Sequence, residues 1–178
     1  AGKPGTSGVV DGVGSAARFY NPSSVAVDGS GNVYVADTSN HVIRKISSGG
    51  VVSVLAGKLG VSGSDDGAGT DARFNGPSGL AIDATGMIYV ADSFNHLIRS
   101  VTPLGVVATV AGTAGAAGAV DGSGAAARFS YPSGVAADSS GVYVADSFNH
   151  VIRRIVGTTV TTLAGTAGAP GYLDATGA

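Results

Sequence analysis

Three histidines, twelve aspartates and ten basic residues carry nearly all the acid–base and metal-binding potential of this 178-residue chain, which has no Glu, Gln, Cys or Trp. Three imidazoles suggest zinc, whose tetrahedral sites need their ligands within one small sphere. His41, His96 and His150, however, occupy one place in three copies of a single word: Tyr34-Val35-Ala36-Asp37-Thr38-Ser39-Asn40-His41-Val42-Ile43-Arg44 returns from Tyr89 to Arg99 and from Tyr143 to Arg153. Equivalent residues in separate repeats do not converge on one ion. They are expected instead to be turn residues that bond neighbouring backbone.

The acids follow the same rule. Nine of them form three equivalent sets, Asp11, Asp66, Asp121; Asp28, Asp83, Asp138; and Asp37, Asp92, Asp146. Asp28, Asp83 and Asp138 are weak candidates for a calcium ring, because an oxygen-only site takes six to eight ligands and few others are near in sequence. Asp at a strand end more often caps the next turn. The Asp-Gly-x-Gly words at Asp11, Asp66 and Asp121 lack the alternating acids of a calcium loop and read as linker turns. No Ser-His-Asp spacing stands apart from the repeat, so catalysis has thin support, and on the ligand arguments above neither a metal nor another cofactor is expected.

Charge narrows the partners. At a formal net charge of −2 the chain has no basic field to gather phosphates, and nucleic acid is not expected. No apolar run approaches the length of a membrane-spanning helix. The absence of Cys suits any redox compartment and removes thiolate chemistry. Opening at Ala1 without Met predicts a processed or trimmed product.

The repeated word needs an element to hold it, and its period of 55 then 54 residues, counted between Asn40, Asn95 and Asn149, is that of stacked supersecondary units. Each unit holds four short runs of β-type alternation bounded by Gly, Asn and Asp, in the first copy 24–28, 32–37, 41–46 and 51–56. These predict a four-stranded antiparallel meander. Small residues (Ala26, Ala81, Ala136, Gly79, Gly134) mark the first strand as the one nearest a crowded axis. Pro22, Pro77 and Pro132 precede it, where a missing donor is tolerated. The expected division is a linker at 1–22, blades at 23–57, 78–112 and 133–165, linkers at 58–77 and 113–132, and a linker-like tail at 166–178. In each linker an Arg-Phe pair, with Arg18, Arg73 or Arg128, is expected to bury its Phe between blades and pair its Arg with a repeat Asp.

The Asn-His-x-Ile-Arg words, following Pro-Ser-Gly-x-Ala-x-Asp and Tyr-Val-Ala-Asp, resemble NHL repeats, and the likeness covers nearly the whole chain. Ser24 departs from the pattern where the other copies have Gly79 and Gly134. The resemblance implies an all-β chain, a β-propeller of four-stranded blades, with three blades per chain. Closed propellers have about four to eight blades, so three are expected to close by head-to-tail pairing of two chains into a six-bladed homodimer. Residues 164–178 duplicate the register of residues 1–15, and the N-terminal copy, continuous with Arg18 and Phe19, is expected to win the shared groove and leave the tail loose.

In an antiparallel meander the second-to-third turn lies on the same side as the inter-blade linkers. Phe94 and Phe148, with Ser39 at the same position of the first copy, are therefore candidate contacts on a linker-bearing face, beside His41, His96 and His150. That reading makes the chain a non-catalytic scaffold or interaction module for a protein, peptide or glycan. The alternative implied by resemblance is a metal-dependent lyase or lactonase-type propeller with its site in the channel. It would require several His and acids on inner strands that here offer mainly Ala, Val, Gly and Ser.

Overall fold

A computed structural model describes residues 1–171. The chain forms three antiparallel sheets of five strands each. The first comprises β1 (Gly12–Val13), β2 (Pro22–Val27), β3 (Val33–Asp37), β4 (Val42–Ile46) and β5 (Val51–Ala56). The second comprises β6 (Gly67–Ala68), β7 (Pro77–Ile82), β8 (Ile88–Asp92), β9 (Leu97–Val101) and β10 (Val106–Ala111). The third comprises β11 (Gly122–Ser123), β12 (Pro132–Asp138), β13 (Gly141–Asp146), β14 (Val151–Val156) and β15 (Thr159–Ala164).

Four strands of each sheet are the expected meander. The fifth corrects the expectation: a two-residue strand from the preceding linker pairs with the outermost strand, giving the order β1-β5-β4-β3-β2 and its two repeats. The cause lies in Asp-Gly-x-Gly. Gly12 (φ +153°) and Gly14 (φ +54°) give the linker an extended step and then a reversal, which lays Gly12 opposite Val52 and Val13 opposite Val51. The outer edge of each sheet is thereby covered for two residues.

The turn between the second and third meander strands is one turn of 3-10 helix, Thr38–Asn40, Ser93–Asn95 and Ser147–Asn149. It closes on His41, His96 and His150 in the left-handed region (φ 58°, 61° and 61°). Positive φ is uncommon outside Gly, Asn and Asp, although His also tolerates it. The imidazoles of His41 and His96 are thereby turned out of their own sheets and towards the next.

β2, β7 and β12 lie side by side, and the small residues are what allow it. A Cβ on Gly79 would meet the Gly134 Cα at 3.0 Å. Two apolar layers fill the spaces between sheets. Ala36, Ile43 and Ala56 of the first sheet enclose Phe74 against Ile88 and Val90 of the second; Ala91, Ile98 and Ala111 enclose Phe129 against Val144 and Ile155 of the third. Phe74 and Phe129 are fully buried, as the Arg-Phe reading expects of its Phe. The end faces lack this cover. Ile152 is 41% exposed where Ile43 and Ile98 are 0%, and Val25 is 63% exposed where Leu80 is 6%.

Candidate functional site

The polar heart of each unit is an Asp–Asn–Arg cluster. In the second unit, Asp92 accepts hydrogen bonds from the Asn75 backbone N–H (2.7 Å), Asn95 Nδ2 (2.7 Å) and Arg99 Nη1 (2.9 Å). Arg99 also donates through Nη2 to Asp66 Oδ1 (2.6 Å) and the Asp65 carbonyl (2.9 Å), and its guanidinium carbon lies 5.3 Å from the Phe74 ring centroid. Asp37 with Arg44 and Asp11, and Asp146 with Arg153 and Asp121, repeat the arrangement. Burial pushes the Asp92 carboxyl up to about 6, while its backbone and side-chain donors and the Arg99 charge pull it down. It remains ionised at neutral pH. The cluster ties a strand-end carboxylate, a turn Asn and a β4-type Arg to the preceding linker, and is structural.

Arg18, Arg73 and Arg128 do something else. The expected pairing with a repeat Asp is corrected: Arg73 Nη1 donates to the carbonyls of Thr70, Asp71 and Ala72 (2.6, 2.9 and 2.7 Å), capping its own 3-10 turn. Arg18 and Arg128 do the same. The arginines that fasten the linkers are Arg44, Arg99 and Arg153, which the sequence reading left without a role.

The three histidines stay apart, and two of them join neighbouring sheets. His41 Nδ1 accepts from the Gly76 N–H and His96 Nδ1 from the Tyr131 N–H, both at 3.1 Å. Only a neutral imidazole offers that lone pair. Desolvation lowers the pKa of both rings, partly opposed for His96 by the Asp146 charge. A lowered folded-state value means that the stabilisation is complete above the ordinary 6.5 and is lost as pH falls through the folded value. The melting temperature is therefore expected to fall on acidification below pH 6.5, and a His96→Phe variant to show a shallower dependence over that range in thermal melts.

Asp28, Asp83 and Asp138 cap turns. Asp28 accepts from the N–H groups of Ser30 and Asn32 (both 2.9 Å), from Asn32 Nδ2 (2.8 Å) and from the Tyr34 hydroxyl (3.0 Å), and these donors hold it down at about 2. Asp83 takes the N–H of Thr85 and Met87, and Asp138 that of Ser140 and Gly141. Among the described residues no three His or Asp side chains are grouped to hold a metal ion.

Phe94 and Phe148 do lie against the linkers: the Phe94 N–H donates to the Asn75 carbonyl and the Phe148 N–H to that of Ser130, as Ser39 does to Tyr20. Both rings remain in water, 55% and 67% exposed. Between them stands Tyr131, which the sequence reading missed. Its ring meets Phe94 edge-on at 5.9 Å, Phe148 at 4.6 Å and the His96 imidazole edge-on at 4.6 Å. Tyr131 sits where Asn21 and Gly76 stand in the other units, and all three have positive φ (49°, 53° and 62°). An aromatic at a position that otherwise holds Asn and Gly was the available signal. The three rings make a continuous exposed ridge across the second and third sheets.

Comparison with known proteins places this arrangement. The family model described as NHL repeat matches residues 19–46 and 74–99. The chain is 37% identical over 151 residues to NHL repeat-containing protein 2 of Gallus gallus, a match covering 77% of this chain and 21% of that protein. The chain belongs to the NHL-repeat family, with a β-propeller type of fold. It spans about a fifth of the length of the curated relatives it matches first. Among solved structures, an auxiliary nutrient binding protein from Bacteroides ovatus aligns with a TM-score of 0.69 at 24% identity, over 84% of this chain and 39% of that one. A catalytically inactive virginiamycin B lyase from Staphylococcus aureus aligns with a TM-score of 0.59 at 16% identity, over 83% and 43%. Likeness at that distance concerns the fold alone.

Proposed function

We propose that the chain is a non-catalytic interaction module: a half-propeller that self-assembles with a second copy and binds a protein or peptide through its linker-bearing face. The observation that carries the binding role is the ridge Phe94–Tyr131–Phe148, an unbroken aromatic surface left in water by a fold that buries its other phenylalanines fully or in part. Exposed aromatics gathered in one patch mark binding surfaces and supply their dominant contacts. Catalysis is disfavoured because the acids of the repeat and two of its three imidazoles are already engaged in turn caps, ion pairs and inter-sheet bonds.

The test is selection from a displayed random-peptide library on the wild type and on a Phe148→Ala variant, with an immobilised glycan panel in parallel. Wild-type enrichment of peptides with aromatic or aliphatic anchors is expected, with affinity at least about fivefold lower for the variant, a hot-spot loss of above 1 kcal/mol. Enrichment that survives in Phe148→Ala, or binding to glycans alone, would count against the reading.

A further inference from the structure

The end faces of the chain carry counterparts of the main contacts made at the inner seams. Phe74 and Phe129 each enter a socket formed by the preceding sheet: Ala36, Ile43 and Ala56 in one case, Ala91, Ile98 and Ala111 in the other. The third sheet presents the same socket, Ala145, Ile152 and Ala164, open to water as a cavity of about 260 Å³. The plug that matches it is Phe19, half-buried at the other end of the chain. The polar fittings match as well. Thr38 Oγ1 and Ser93 Oγ donate across the inner seams to the Pro77 and Pro132 carbonyls (2.8 and 2.6 Å), and His41 and His96 accept the N–H groups of Gly76 and Tyr131. Ser147 and His150 hold those places on the open face, and Pro22 and Asn21 hold the complementary ones.

Something already covers part of Phe19. In the inner seam, Gly57 lies against Phe74 and its N–H donates to the Gly69 carbonyl (2.9 Å). At the N-terminal end, Gly2 lies against Phe19 and its N–H donates to the Gly14 carbonyl, also at 2.9 Å. Residues 1–6 thus occupy, against the first sheet, the place that residues 56–61 occupy against the second. The third sheet carries its own version of this segment, docked as in the inner seams: the Gly168 N–H donates to the Asn149 carbonyl (3.0 Å), as those of Gly60 and Gly115 do to Asn40 and Asn95. The expectation of a loose tail is corrected for residues 166–169; residues 172–178 lie outside the described residues.

We infer that, when the third sheet of one chain receives the first sheet of a second copy, residues 164–169 of the former displace residues 1–6 of the latter. The inference rests on the self-assembly proposed above and specifies its seam. Residues 1–6 act as an internal mimic of the partner. Two features set the limit of the exchange. Asn40 Nδ2 holds the Gly8 carbonyl (2.8 Å), and Arg44 holds Val10 and Asp11, so residues 8–19 stay with their own sheet. Residues 1–6, held by little beyond the Gly2–Gly14 bond, give way.

The test compares the full chain, a chain lacking residues 1–6, and an Ile152→Asp variant, by light scattering coupled to size exclusion over a range of concentrations. Ile152 is 41% exposed, so its replacement leaves the core of the single chain untouched, and near-ultraviolet circular dichroism checks that each variant folds. The full chain is expected to form a closed pair. Removing the mimic should tighten association about fivefold to tenfold, one exposed hydrogen bond no longer having to break, and Ile152→Asp should leave a folded monomer. Pairing of the full chain that is unchanged or weakened on truncation would overturn the displacement while leaving self-assembly standing. Monomers of both the full and the truncated chain at every concentration, or masses climbing past two chains, would overturn both.

Discussion

Replacing Arg99 with Ala is expected to lower unfolding stability by about 3–5 kcal/mol, because it leaves a buried carboxylate without its counter-charge. Asp92 is fully buried, and what compensates its desolvation is the set of donors from Asn75, Asn95 and Arg99. Removing the guanidinium also releases the Asp65 and Arg73 carbonyls and one of the partners of Asp66, so the 58–77 linker is held to the second sheet less tightly. The loss should depend on pH. With Arg99 present the Asp92 carboxyl stands at about 6; without it the value rises further, and a protonated Asp92 no longer needs the partner. Urea unfolding of the variant at pH 7 and at pH 5 should show the deficit shrinking at the lower pH. An equal deficit at both would place the cost in lost packing of the arginine stem rather than in the stranded charge.

Phe74→Ala is expected to cost a similar about 3–5 kcal/mol, the range for emptying a buried aromatic site. Phe74 is fully buried between the first two sheets, and its ring also faces the Arg99 guanidinium, so the two losses share a contact. The double variant should therefore lose less than the sum of the single ones. The equivalent Phe19→Ala should cost less in the single chain, because Phe19 is half-buried where Phe74 is fully buried. Calorimetry of Phe19→Ala, Phe74→Ala and Phe129→Ala separates the three positions, and an equal cost at all of them would count against the socket description.

Much of this architecture was legible in the chain because the repeats do the averaging that an alignment would otherwise supply. Small residues in three equivalent first strands marked the crowded axis, and alternation placed the meanders. What stayed hidden were long-range pairings made by residues that looked interchangeable. Each unit contains two repeated arginines, and spacing alone could not show that the one in the strand, Arg44, reaches Asp11 while the one in the linker, Arg18, turns back on its own carbonyls. The two-residue strands at Gly12, Gly67 and Gly122 were too short to leave a periodicity. On the linker-bearing face Phe94 and Phe148 were found from strand direction, but Tyr131 was not, because it occupies a left-handed position where a large side chain is not anticipated.

The attachment of each linker to the sheet that follows it decides where such a chain can be cut. Arg44 gathers Asp11, Val10, Arg18 and Asp37 into one cluster, so the unit that keeps its polar cluster whole begins at the linker and ends at the outer strand. Shuffling whole modules in that frame keeps every guanidinium with its carboxylates. A break between linker and sheet would orphan an arginine in the interior. Length can therefore vary by whole units of 54 or 55 residues without rewriting the core, and the joints best suited to engineering or recombination are those just after Ala56 and Ala111.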